Sequence, residues 1–364
     1  MITDISKIDK NFAIETKIDK TDIKFYDVRC GLFDIYGLLN PYYENEPFHR
    51  MPFDVAEKTN VGVKSLNYNT SGGRVKFKTN SEYVAINVEY LSATVSRVGN
   101  MNVIGSSGFD IYICIEGKPI YFNSYNPGSV REQHFESVVN FETCEEREIL
   151  INFPLYDSIN QLYIGVQENA AIKHGTKYKY EKPIVFYGSS ITQGGCASRP
   201  GNSYPGMVSR HFDTDFVNLG FSGSCKGEDS MAEYISTLDM SIFVYDYDAN
   251  APTNEHLADT HEKLFKAFRK VHPDTPVIIM SGTRIPLTPH AVNTRKIRHQ
   301  IIYGTYLNAK NSGDNNVYFI DGQEIFKLCG YDACTCDTTH PNDLGFYCMS
   351  RAVIEVIEKN NLLK

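Results

Sequence analysis

The 364-residue sequence predicts an α/β protein in which an all-β sandwich precedes a doubly wound parallel sheet. Three observations carry this. Apolar residues alternate with period two through the first half. They gather into short continuous runs in the second. Helix-length segments separate those runs.

In the first half, Val75 and Phe77 alternate with Arg74, Lys76 and Lys78, and Val84, Ile86 and Val88 with Ala85, Asn87 and Glu89. Ile111, Ile113 and Ile115 alternate with Tyr112, Cys114 and Glu116, and Ile149 and Ile151 continue the pattern. Such runs predict strands with one face on a core and the other toward water. Turn signals divide them at Ser71-Gly72-Gly73, Thr79-Asn80-Ser81, Gly105-Ser106-Ser107-Gly108 and Asn126-Pro127-Gly128. Many short strands at regular spacing predict a β-sandwich of jelly-roll type. The polar, Gly-containing stretch at residues 171–182 sets the expected boundary, giving domains 1–178 and 179–364.

From Pro183 the pattern changes. Pro183-Ile184-Val185-Phe186-Tyr187, Phe216-Val217-Asn218-Leu219, Ile242-Phe243-Val244-Tyr245, Val277-Ile278-Ile279-Met280 and Val317-Tyr318-Phe319-Ile320 read as parallel strands buried on both faces. Asn254–Val271 and residues 344–358 read as helices.

Charge and composition narrow the function. Lys plus Arg number 36 and Asp plus Glu 44, a net charge of −8, so nothing favours a nucleic-acid partner. No run of about 18 apolar residues predicts a membrane helix. The charged start of the chain lacks a signal-peptide core, and the nine cysteines follow no framework spacing, so a reducing cytoplasm is expected. Neither a metal nor another cofactor is expected: Cys334, Cys336, Asp337 and His340 lack a second half at zinc spacing. Oligomerisation is left open.

Reactive groups of an open parallel sheet belong past the carboxyl ends of its strands. Ser190 follows the first strand in Gly188-Ser189-Ser190-Ile191-Thr192, where a turn can present its hydroxyl beside helix N–H groups. Thr192 occupies the last Gly position of a G-x-S-x-G elbow, so that design is excluded. The second strand exits through Gly220-Phe221-Ser222-Gly223 and the third reaches Asn250; a Gly223 N–H and the Asn250 amide can both donate to an oxyanion. Asp337, three residues before His340, can orient that imidazole. Singly, Ser190 reads as well as a helix cap, and Gly223 and Asn250 read more readily as turn formers. In order along the chain they supply nucleophile (Ser190), oxyanion donors (Ser190, Gly223, Asn250), orienter and base, the set that acyl transfer needs. Arg199 and Tyr204, shortly after the nucleophile, are candidate substrate contacts.

These four blocks resemble those of the SGNH (GDSL) hydrolase superfamily, over about residues 182–360. Ser189 stands in place of the Asp of G-D-S. Gly108-Phe109-Asp110-Ile111-Tyr112 resembles the G-x-D-L-Y signature of a domain that precedes a subset of these hydrolases, with Ile111 for the Leu. The resemblance implies a flavodoxin-like three-layer α/β/α hydrolase domain behind a jelly roll. It further implies a serine esterase without cofactor, removing short acyl groups, chiefly acetyl, from a small-molecule or oligosaccharide ester. An acyltransferase with the same triad, or an inactive carbohydrate-binding protein, are the alternative readings.

Overall fold

The structure is a computed structural model that describes residues 14–43, 46–93, 99–128, 132–327 and 329–364. The charged N-terminal segment read for targeting, residues 1–12, lies outside them.

Two antiparallel sheets make up the first half. One runs in the order β1 (Ile23–Asp27), β9 (Ile159–Gln167), β4 (Tyr83–Tyr90), β7 (His134–Asn140). The other runs β10 (Ile172–His174), β3 (Arg74–Thr79), β8 (Arg147–Asn152), β5 (Phe109–Ile115), β6 (Lys118–Tyr125), with β2 (Asp34–Tyr36) also on β3. Val75, Phe77, Ile111, Ile149 and Ile151 of the second sheet share one core with Val84, Ile86, Val88, Ile164 and Val166 of the first. The predicted alternation therefore forms the interior.

The other face of β3 departs from expectation. Arg74 and Lys76, predicted to face water, are 1% and 4% exposed. Arg74 pairs with Asp215 of the second half and donates to the Tyr178 hydroxyl at 2.7 Å, while Lys76 donates to the Thr176 carbonyl at 2.7 Å. Each cation is buried because its donors are matched. Residues 172–174, expected as linker, pair with β3. The Gly105–Gly108 turn signal proves to be a short helix, α3 (Val103–Ser107), ending at Gly108.

The third sheet is parallel, in the order β12 (Thr214–Gly220), β11 (Tyr180–Gly188), β13 (Ile242–Asp246), β14 (Val277–Met280), β15 (Val317–Ile320). Successive strand residues face opposite covers. Val185, Tyr187, Phe243 and Tyr245 pack with Met231 and Ile235 of α6 (Asp229–Thr237), Leu257, Leu264 and Phe268 of α7 (Asn254–Val271) and Ile302 of α8 (Pro289–Asn311). Ile184, Phe186, Ile242 and Val244 pack with Tyr204 and Val208 of α5 (Tyr204–Phe212) and with Phe346, Met349 and Val353 of α10 (Asp343–Asn360). Helices on both faces explain why these strands are continuously apolar. α7 spans the predicted residues because the Thr253 hydroxyl caps its start and its buried positions recur at helical spacing. Met51, Ala56 and Val63, on or beside the short helices α1 (Phe53–Thr59) and α2 (Val61–Leu66), join the core of the second half.

Candidate active site

The predicted site residues stand at the carboxyl ends of β11, β12 and β13 and on the loop before α10. Ser190 opens the one-turn helix α4 (Ser190–Gln193), whose start the Ser189 hydroxyl caps by accepting from Ile191 N at 3.2 Å. A serine thus does the local capping that an aspartate could also perform, without its charge.

Ser190 Oγ lies 3.0 Å from His340 Nε2, and His340 Nδ1 lies 2.7 Å from Asp337 Oδ2. The turn holding the last pair is tight. Asp337 Oδ1 accepts from the N–H groups of His340 (2.7 Å) and Thr339 (3.1 Å), and Thr338 adopts a left-handed φ of 65°. Cys336 N donates to His340 O at 2.9 Å and closes the loop. Burial raises the Asp337 carboxyl, but the His340 and Thr339 contacts outweigh it and hold the group below its ordinary value. An ionised Asp337 fixes the tautomer that leaves Nε2 free to accept from Ser190.

After β12 the chain turns through Phe221-Ser222-Gly223-Ser224, with Ser224 N on Phe221 O at 3.0 Å. Gly223 has φ 67°, which a glycine adopts at no steric cost. Asn250 leans over this turn: its Oδ1 accepts from Cys225 N at 3.4 Å, which aims the carbonyl end of the amide at the loop. Gly220 is required by close approach, since a Cβ there would stand 2.2 Å from Gln193 N.

Several supporting residues were not foreseen. Asn100 donates to Asp337 Oδ2 at 2.6 Å. Tyr156, between β8 and β9, donates to the Ser190 carbonyl at 3.2 Å. Gln193 Oε1 accepts from Ser222 N at 2.9 Å, and its Nε2 donates to Asn69 Oδ1 and the Leu155 carbonyl, both at 3.1 Å. Ser71 Oγ donates to the Gln193 carbonyl at 2.7 Å. Arg50 is 1% exposed, donates to the carbonyls of Gly220, Asn218 and Leu66, and covers the Phe221 ring. Burial pushes its guanidinium down to about 9. At the end of β13, Asp246 accepts from Thr192 Oγ1 at 2.9 Å and Tyr204 OH at 3.3 Å; burial raises its carboxyl to about 7.

The two candidate substrate contacts are engaged elsewhere. Tyr204 is fully buried with its hydroxyl on Thr192 and Asp246. Arg199 pairs with Asp110 and donates to the Tyr112 hydroxyl, so two residues of the Gly108–Tyr112 motif hold the loop that follows α4. Asp110 also accepts from Gly201 N at 2.7 Å.

Beside the site lies a cavity of about 440 Å³, reaching from Ile191 and Thr339 to the start of α8.

Residues 181–358 match the GDSL-like Lipase/Acylhydrolase family, and residues 23–172 match GxDLY, the N-terminus of Esterase_SGNH_hydro-type proteins. A solved structure from Bacteroides ovatus, named as a GDSL-like lipase, is 31% identical over 94% of this chain and 99% of its own, with a TM-score of 0.82. The chain belongs to the GDSL-like lipase/acylhydrolase family. It is an ester-hydrolysing enzyme. Two more distant solved structures share the fold. A salicylyl-acyltransferase from a tetracycline biosynthetic pathway is 16% identical over 94% of this chain and 98% of its own, with a TM-score of 0.74. An acetyl xylan esterase from the rumen bacterium Butyrivibrio proteoclasticus is 11% identical over 94% and 100%, with a TM-score of 0.57. No curated protein matches the chain.

Proposed function

We propose that this GDSL-like enzyme is a serine esterase that removes short acyl groups, chiefly acetyl, from a carbohydrate through a Ser190-His340-Asp337 triad. The observation that carries the reading is the continuous chain from Ser190 Oγ to His340 Nε2 (3.0 Å) and from His340 Nδ1 to Asp337 Oδ2 (2.7 Å). In this reading His340 takes the Ser190 proton as Oγ attacks the ester carbonyl. The N–H groups of Ser190 and Gly223 and the Asn250 amide hold the oxyanion. The bond to the alcohol breaks, the alcohol leaves with the proton from His340, and water releases the acyl group by the same route. The N-terminal sheets form a jelly roll, residues 1–178, that walls the hydrolase domain, residues 179–364.

The fold shared with the acetyl xylan esterase supports the acetyl-carbohydrate assignment. The test is acetate release from acetylated mono- and oligosaccharides, set against p-nitrophenyl esters of increasing chain length. Ser190→Ala should lower kcat by several orders of magnitude. Preference for butyrate or longer chains would overturn the acetyl assignment, and full activity in Ser190→Ala would overturn the triad. The fold shared with the salicylyl-acyltransferase supports a second reading, transfer to another alcohol. Acceptor alcohols that divert product from free acid would favour it.

A further inference from the structure

The cavity beside Ser190 and His340 has a charge character unlike the rest of this acidic protein. Its lining includes Arg284, Arg295 and Arg298, and only one carboxylate, Asp248. Asp248 is 1% exposed and fully used: Arg295, Arg298 and the Gly282 N–H all donate to its side chain. Arg298 is further occupied by the carbonyls of Asp248 and Ala251. Three guanidinium groups against one carboxylate leave an excess of two positive charges. Arg284, after β14, is exposed and has no ion-pair partner among the described residues.

A second, independent observation points to a ligand. Thr283 lines the same cavity and is 2% exposed, yet its Oγ1 has no hydrogen-bond partner among the described residues, and neither has Nε of Arg295. Buried polar groups are normally satisfied, so these two lack something to donate to. The start of the 23-residue helix α8 borders the cavity at His290 and Ala291, adding a partial positive charge.

We infer that this cavity binds a carboxylate carried by the ester substrate, through Arg284 and Thr283, within reach of the bond that Ser190 attacks. The inference rests on the esterase reading above and adds the substrate's charge. The carboxylate can belong to the alcohol, as in an acetylated uronic acid, or to the acyl group, as in a dicarboxylic half-ester. The cavity is large enough for either, since its volume falls within the range of ordinary small-ligand sites.

Paired substrates test it. In the alcohol arm, the acetylated methyl glycoside of glucuronic acid, its carboxylate free, is compared with acetylated methyl glucoside. In the acyl arm, the p-nitrophenyl half-ester of succinate is compared with p-nitrophenyl butyrate. The expected result is that the anionic member of at least one pair leads in kcat/KM by about tenfold or more, the scale of a charge-assisted hydrogen bond. In Arg284→Gln that lead should shrink about tenfold, mainly through KM, and added salt should erode it. Thr283→Val should shrink it in the same pair. The arm that responds identifies the source of the carboxylate. Cleavage of p-nitrophenyl acetate with no anionic preference in either pair would overturn this inference alone, as would a preference that Arg284→Gln leaves intact. Failure to cleave every ester, p-nitrophenyl acetate included, would instead overturn the esterase reading.

Discussion

At the scale of single residues, the two proposed oxyanion donors outside α4 should respond differently to truncation. The Gly223 donor is a backbone N–H, and a Cβ there meets no atom within 4 Å; the cost is only its left-handed φ of 67°. Gly223→Ala should therefore keep the donor and lose stability by about 1–2 kcal/mol, with kcat reduced less than tenfold. Asn250→Ala removes the donor itself and should lower kcat by about 10²–10³-fold. Steady-state kinetics on the pair decides the matter, and equal losses would contradict this division of roles. Asn100→Ala, which strips one hydrogen bond from Asp337, should lower kcat roughly three- to tenfold with KM held. A kcat equal to wild type would remove Asn100 from the positioning of Asp337. The blocks around Ser190, Gly223, Asn250, Asp337 and His340 were legible as candidates because the chemistry each could do is local. Asn100 was not: it reaches Asp337 across 237 positions of sequence, and an isolated Asn carries no local signal.

At the scale of elements, the parallel strands and α7 were readable because burial on both faces and a capped amphipathic period leave strong marks in sequence. The short helices α1, α2 and α3 were not. At 7, 6 and 5 residues they are too short to show a period, and packing rather than propensity forms them. The outer face of β3 misled for a related reason: alternation with Arg and Lys reads as solvent until Asp215 and Tyr178 are seen to receive the charge. The end of β13 makes a measurable prediction. Folding raises the Asp246 carboxyl from an ordinary 3.8 to about 7, so between those values the native protein keeps a proton that the unfolded chain releases. The stabilisation is whole below about pH 4 and is lost as pH rises through 7. Relative to Asp246→Asn, the wild type should lose roughly 2 kcal/mol between pH 5 and pH 7, measured by urea unfolding at each pH. Parallel curves for the two proteins would refute the buried, neutral carboxyl.

At the scale of the whole molecule, the halves are joined by matched polar groups rather than by a passive linker. Arg74 sends its guanidinium to Asp215, to Tyr178 and to the carbonyls of Gly72 and Phe216. Arg74→Ala strips the buried Tyr178 hydroxyl and the part-buried Asp215 carboxylate of this donor and should cost roughly 3–5 kcal/mol, read from denaturant unfolding. A loss below about 1 kcal/mol would mean that the ion pair is idle. Nothing in the two periodicities announced these contacts, because hydrophobic pattern reports what each sheet buries and is silent on which polar groups meet between them.

The one-turn helix α4 has its last carbonyl held by Ser71 and its Gln193 side chain held by Asn69 and Leu155, all from the other half. The two halves are therefore not interchangeable parts. A chimera that grafts a relative's first half onto this second half keeps these bonds only if positions 69 and 71 supply the same side-chain groups and the residue 155 carbonyl returns to the same place. Exchanging halves is therefore also an exchange of the hydrogen bonds that set the nucleophile's turn.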